Sequence, residues 1–152
     1  MNINYIDYSI GTESLDIFFA GCKNKCDDCC NPELMSFDNG TDYMEWLPKI
    51  TDYLENYKGL IKNVFLVGGS PNHQDPEALD TFLAGLKLRC QGINIFVFCG
   101  EEFVEVQPCF KEYCDYIKCG AYIPSLKCED NIQYGIKLAT SNQKVFKKGI
   151  DY

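Results

Sequence analysis

Three cysteines, Cys22, Cys26 and Cys29, stand in the stretch from Phe18 to Pro32 at C-x3-C-x2-C spacing, directly after an apolar run. A thiolate is an iron ligand, and three of them in one short loop can each take one iron of a [4Fe–4S] cluster. Electron-carrying ferredoxins use four cysteines per cluster. Here the nearest fourth candidate is Cys30, adjacent to Cys29. Neighbouring residues point different ways, so both binding one cuboidal cluster is awkward. A fourth iron without a protein ligand is open to another molecule, which turns an electron carrier into a catalyst. Structural zinc is the alternative, but it asks for four closed ligands, usually paired C-x2-4-C or added histidines. The sole histidine is His73, and there is no second C-x2-C pair.

The bulk of the chain narrows the setting. Its 152 residues, 46% hydrophobic and 24% charged, suit a single domain over 1–152 with a sizeable core. No stretch approaches the ~20 apolar residues of a membrane span. The opening Met-Asn-Ile-Asn-Tyr-Ile-Asp has neither a basic nor an apolar signal region, so a cytoplasmic location is expected. In that reducing compartment ten cysteines stay as thiols, and metal binding or catalysis becomes their expected use. A net charge of −8 leaves no basic stripe for phosphates, so neither nucleic acid nor a membrane is an expected partner.

The elements that must position the cysteine loop follow from periodicity. Residues 3–8 read as an edge strand or arm, and Leu15–Gly21 as a buried strand ending at the loop. Tyr43, Trp46, Leu47, Ile50, Tyr53, Leu54 and Tyr57 recur at helical spacing over 42–57, with Pro48 expected to kink the helix or mark the first turn of a shorter one. Strands are expected at Asn63–Gly69, Ile93–Cys99 and Tyr116–Tyr122. Helices are expected from Asp75-Pro76-Glu77, which has a capping Asp and Pro at the first position, and across Glu102–Tyr113 with Pro108 as a blemish. The tail from Asn131 is mixed.

This strand–helix alternation implies an α/β fold with parallel strands and right-handed crossovers. The strands are apolar throughout, as expected where helices cover a sheet. The units are too few for a closed eight-stranded barrel, so an open partial barrel or a small doubly wound sheet is expected. The cysteine loop, Gly68-Gly69-Ser70-Pro71 and Gly100 all follow strand C-termini, where sites of α/β folds form.

Other residues divide between chemistry and packing. Cys109, Cys114, Cys119 and Cys128 are spaced too loosely for a zinc knuckle or a compact cluster loop and read as buried structural thiols. His73 can touch a ligand from its loop or simply be solvated. Asn142 and Gln143 can contact a ligand or form a turn. No acid–base pair or nucleophilic triad is evident, and no catalytic side chain is assigned.

The cysteine spacing after a first strand resembles the radical S-adenosylmethionine (SAM) superfamily. More narrowly, the chain resembles the activating proteins of anaerobic (class III) ribonucleotide reductases. Phe18-Phe-Ala-Gly-Cys-Lys-Asn-Lys-Cys-Asp-Asp-Cys-Cys-Asn-Pro32 resembles their cysteine loop, and Leu66-Val-Gly-Gly-Ser-Pro71 their Gly-Gly turn. Ile95–Gly100 is similar to their strand ending in Thr-Gly; Gly120-Ala-Tyr122 and Ser141-Asn-Gln143 are similar to their C-terminal motifs. The resemblance implies an open partial (β/α) barrel of the radical SAM type. It implies Cys22, Cys26 and Cys29 as ligands of a [4Fe–4S] cluster whose open iron chelates SAM, with Gly68, Gly69, Ser70 and Gly100 as SAM contacts. It further implies reductive cleavage of SAM and a glycyl radical raised on the large catalytic subunit of the reductase. A low-potential electron donor such as flavodoxin or ferredoxin would feed the cluster.

The chain departs from that pattern at several places. Cys30 stands where an aromatic residue follows the third cysteine, and Asp28 where an adenine-packing aromatic is common. Ser70 replaces an acid, Cys99 a Thr and Cys119 an Asp, and Gly11-Thr-Glu-Ser14 lacks the usual Arg. Two other readings stand beside the activase: a diverged radical SAM enzyme acting on another protein, a peptide or a small molecule, and a non-enzymatic iron–sulfur or zinc module.

Overall fold

The computed structural model describes residues 1–26 and 29–152. Strand β1 (Asn2–Ser9) turns into β2 (Ser14–Phe19), and the two form an antiparallel hairpin with Ile6 opposite Ile17. The cysteine loop follows, then a two-residue strand β3 (Thr41–Asp42) that pairs with the outer edge of β1. Helix α1 (Tyr43–Asn56) leads to β4 (Asn63–Gly68), α2 (Pro76–Arg89) to β5 (Asn94–Phe98), and α3 (Pro108–Tyr113) to β6 (Tyr116–Cys119). A small hairpin of β7 (Ile132–Gln133) and β8 (Ile136–Lys137) precedes the last strand, β9 (Lys144–Lys147).

The sheet order is β3-β1-β2-β4-β5-β6-β9. Strands β2, β4, β5 and β6 are parallel neighbours, while antiparallel strands close both edges. The parallel strands thus succeed one another in a single direction across the sheet. Right-handed crossovers in such an order put every helix on the same side. One face of the strands accordingly packs under the helices: Leu15, Ile17 and Phe19 of β2, Val64 and Leu66 of β4, and Ile95 and Val97 of β5 join Ile50, Phe82, Leu83 and Phe110 in one cluster. Each such fully buried side chain contributes about 2 kcal/mol relative to exposure. The arrangement is an open α/β sheet with a parallel centre, as a partial barrel requires.

The opposite face carries rings rather than helices. Phe65 lies 5.1 Å from Phe96 and 5.3 Å from Phe98, and Phe96 stacks on Tyr116 at 4.2 Å. Tyr134 of the β7–β8 turn leans on Tyr116 at 5.3 Å. The strands are apolar throughout because aromatic residues line this second face, and not because helices cover both.

The capping expectation at α2 holds, with Asp75 accepting the Ala78 N–H at 2.9 Å, and α1 is capped in the same way by Asp42, which accepts the Met44 N–H at 2.9 Å. Of the two expectations for Pro48, the first turn of a shorter helix does not hold. The helix starts at Tyr43 and runs through Pro48 in its second turn. The expected helix over 102–113 is two pieces, a single 3-10 turn at Phe103–Glu105 and then α3, which Pro108 starts rather than interrupts. The strand expected to reach Tyr122 stops at Cys119, because Gly120 turns the chain with φ of 97°.

Candidate metal centre

The cysteine loop leaves β2 at Gly21, whose φ of 98° and contact with the Phe37 ring leave no room for a side chain. Its base is closed by two backbone bonds: Gly21 N–H to the Leu34 carbonyl at 2.8 Å and Cys22 N–H to Met35 at 3.0 Å. Leu34, fully buried, anchors the return of the loop. The neighbouring parallel strand supplies the second support. Gly69 N–H donates to Phe19 and Ser70 N–H to Gly21, at 2.8 and 2.9 Å. A Cβ on Gly69 would stand 2.5 Å from the Gly21 carbonyl oxygen, so only glycine admits this seam. Buried Gln74 completes it by donating to the carbonyls of Ala20 at 2.9 Å and Ser70 at 3.1 Å.

The three expected ligands lie on this framed loop. Cys22 and Cys26 are half-buried and Cys29 is exposed. Asp28 lies outside the described residues. Burial pushes the Cys22 thiol up, the Asn24 N–H pulls it back, and Cys26, Glu101 and Cys29 add negative potential. The three thiols are therefore electrostatic neighbours, and Cys22 is a poor thiolate until a cation arrives. None of the ten cysteines, all among the described residues, forms a disulfide. This donor set suits a cluster in which each thiol meets its own iron. Among the described residues, no three His, Cys, Asp or Glu side chains converge closely enough to form a ready-made site for one ion.

His73 is also withdrawn from metal binding. Its Nδ1 accepts the Lys23 N–H at 2.9 Å, and its Nε2 lies 3.0 Å from Glu101 Oε1. The proton therefore sits on Nε2 and donates to Glu101. Asn24 Nδ2 donates to the same oxygen at 2.9 Å. This knot joins the cysteine loop, the segment after the Gly-Gly turn and the exit of β5. Its histidine was visible in the sequence. Its partners Glu101 and Asn24, far apart along the chain, carried no periodic or motif signal.

A cavity of about 480 Å³ opens beside the loop, lined in part by Asn24, Cys26, Gly100, Glu101 and Tyr122. It lies at the C-terminal ends of β5 and β6. Of the sequence-expected SAM contacts, Gly100 lines this cavity and packs close to Asn24. Gly68, Gly69 and Ser70 lie instead in the seam beneath the loop. Gly68, with φ of 103°, abuts the Phe19 backbone, and buried Ser70 has a hydroxyl without a partner among the described residues. Asn142 and Gln143 serve the wall: Asn142 Nδ2 donates to Ala121 at 3.0 Å and Gln143 Nε2 to Gly120 at 3.3 Å.

Lys118, which the sequence did not single out, reaches the same region from β6. Its ammonium donates to the carbonyl of Gly120 at 2.8 Å. Burial pulls its affinity for the proton down, and Cys99, Cys119, Glu101 and Cys26 push it back up. The second cysteine series does not gather. Cys109, Cys114 and Cys119 are buried, Cys128 is half-buried, and the thiol of Cys114 is driven well up by burial.

Known proteins resemble this chain along most of its length. Residues 11–145 match the family of 4Fe-4S single cluster domains. The anaerobic ribonucleoside-triphosphate reductase-activating protein of Enterobacteria phage T4 is 26% identical over 113 residues, covering 72% of this chain and 71% of that protein. No helix among the described residues is long and apolar enough to cross a membrane. A three-thiol loop framed by parallel strands, in a match that runs along most of the chain, identifies it: the chain belongs to the 4Fe-4S single cluster domains of the radical SAM type.

Proposed function

We propose that the protein is a radical SAM activase, with Cys22, Cys26 and Cys29 holding a [4Fe–4S] cluster and SAM bound in the adjoining cavity. The observation that carries this reading is the cysteine loop itself, three cysteines on one loop framed by the Gly-Gly seam, with Cys26 lining a cavity at the strand C-termini. When bound, the cluster supplies the electron that breaks a carbon–sulfur bond of SAM. The chain's own residues hold the loop, shape the cavity and limit water. Gly100 lines the cavity, while Gly68, Gly69 and Ser70 act from below by fixing the backbone that carries Cys22.

We further propose a protein substrate, the glycyl-radical subunit of an anaerobic ribonucleotide reductase, in a cytoplasmic setting with a flavodoxin- or ferredoxin-like donor. Two observations support it. The similar phage protein is named as an activator of that reductase. The ring-lined face of the sheet also carries no helix among the described residues, and Phe98 and Tyr116 on it are part-exposed, which suits a macromolecular partner better than an enclosed small substrate. The test is anaerobic reconstitution with iron and sulfide, followed by dithionite and SAM. Formation of 5′-deoxyadenosine is expected, and a glycyl EPR signal should appear on an added reductase subunit. A fully loaded protein that never cleaves SAM would sink the enzyme reading. Cleavage without a glycyl signal would redirect it to another substrate.

A further inference from the structure

Glu101 is an acid built into the cysteine loop from outside it. Its side chain is 14% exposed. Oε1 takes the Asn24 Nδ2–H at 2.9 Å and the His73 Nε2–H at 3.0 Å. Asn24 stands two residues from both Cys22 and Cys26. His73 Nδ1 accepts the N–H of Lys23, also inside the loop, at 2.9 Å. The Glu101 backbone is fixed from the β6 side, where its carbonyl accepts the Gly120 N–H at 2.9 Å. A carboxylate is thereby locked against the turn that carries Cys22 and Cys26.

Little in the surroundings cancels that charge. An ionised Glu only accepts hydrogen bonds, and both groups facing Oε1 are donors. His73 is neutral, since its Nδ1 lone pair is taken by the Lys23 N–H. Oε2 is buried with no hydrogen-bond partner among the described residues. Lys118 turns its ammonium to the carbonyls of Gly120 and Cys99, and among the described residues it forms no ion pair with Glu101. Lys25 and Glu105 line the same cavity as Cys26 but are exposed, where water and salt screen their fields. A largely buried charge is screened much less. At Cys22, where burial does most to push the thiol up, Glu101 adds in the same direction.

We propose that Glu101 is a fixed negative charge that lowers the reduction potential of the cluster held by Cys22, Cys26 and Cys29. This deepens the proposed function and rests on it. The physical reason is the charge that reduction adds. One electron, taken from an external low-potential donor, enters a centre already ringed by three thiolates. A neighbouring anion in a medium of low dielectric makes that electron costlier to hold. The reduced centre is then a stronger donor to a sulfonium. Net charge, hydrogen bonding and solvent exposure are the means by which a protein sets such a potential. Glu101 acts through its field, and His73 and Asn24 are positioning residues that hold the charge in place.

The test is a redox titration of the anaerobically reconstituted protein without SAM, followed by the EPR signal of the reduced cluster. Glu101→Gln removes the charge and keeps an acceptor for His73 and Asn24. Glu101→Asp keeps the charge and shortens the arm. In Glu101→Gln the equilibrium constant for reduction is expected to rise about 10- to 30-fold, which for one electron is ~60 to ~90 mV upward. Glu101→Asp should stay within about threefold of the wild type. An unchanged or lower potential in Glu101→Gln would overturn the proposal. An equal rise in Glu101→Asp would overturn it too, because the effect would then trace to lost geometry. So would a Glu101→Gln protein that takes up no iron, because Glu101 would then serve assembly rather than potential. A wild type that forms no cluster defeats the proposed function itself. A cluster whose potential ignores the charge at Glu101 defeats this inference alone.

Discussion

Nine of the ten cysteines of this chain fall into two populations with opposite surroundings, and Cys128, half-buried, lies outside both. Cys22, Cys26, Cys29 and Cys30 sit on one loop at the strand C-termini, half-buried or exposed. Cys90, Cys99, Cys109, Cys114 and Cys119 are buried in the cluster between sheet and helices. The residue type is the same, and placement decides its chemistry. A thiol in the helix-side core has lost its solvation and meets little positive charge, so it stays protonated and behaves as a small apolar side chain. A thiol on the loop keeps access to solvent and to an incoming metal. In the proposed function the loop cysteines carry the chemistry, and the buried ones carry packing.

The sharpest test of that division is removal of one thiol from each population. Cys26→Ala is expected to abolish cluster assembly, reading near zero against ~4 irons per chain for the wild type, together with loss of SAM cleavage. Cys114→Ala should load iron normally. A Cys114 variant that loses the cluster would erase the distinction. Next in size is the seam that frames the loop. Gly69→Ala pushes a methyl into the Gly21 carbonyl. It should lower iron retention and destabilise the fold by about 2–4 kcal/mol, read by denaturant melts and iron analysis. Cys114→Ser, which buries an unpartnered hydroxyl, should cost about 1–3 kcal/mol with iron content unchanged.

The smallest expected effect is a pH dependence confined to the buried population. Burial pushes the thiol of Cys109 up to about 11 and those of Cys90 and Cys119 to about 12, from 9.0. Between these values the folded protein holds protons that the unfolded chain has released. Their contribution is complete below about pH 9 and falls as pH rises toward about 11–12. Denaturant midpoints under reductant should drop across this range, and less steeply in Cys90→Ala. An equal slope in that variant would place the titration elsewhere.

Much of the architecture was legible because it rests on local signals. Apolar runs marked β2, β4 and β5, and Asp75-Pro76 marked the start of α2. Prolines were harder to read. Pro48 and Pro108 each have two helix-compatible meanings, and only the position of the helix start, set by the cap at Asp42 or the stop after Glu105, chooses between them. The aromatic face was also concealed, since an apolar strand residue looks alike whether a helix or a neighbouring ring covers it.

The sequence by itself determined the cofactor class, because ligand identity and close spacing are local properties of one loop. It also indicated parallel strands, through alternation of elements. Tertiary structure decided what surrounds that loop. Glu101, His73, Asn24 and Lys118 come from four segments, and no periodicity links them until β5 and β6 are laid beside β2 and β4. Only the packed sheet could show that one oxygen of Glu101 is held while the other is buried without a hydrogen-bond partner among the described residues, since satisfaction of a buried polar atom depends on contacts between residues remote in sequence.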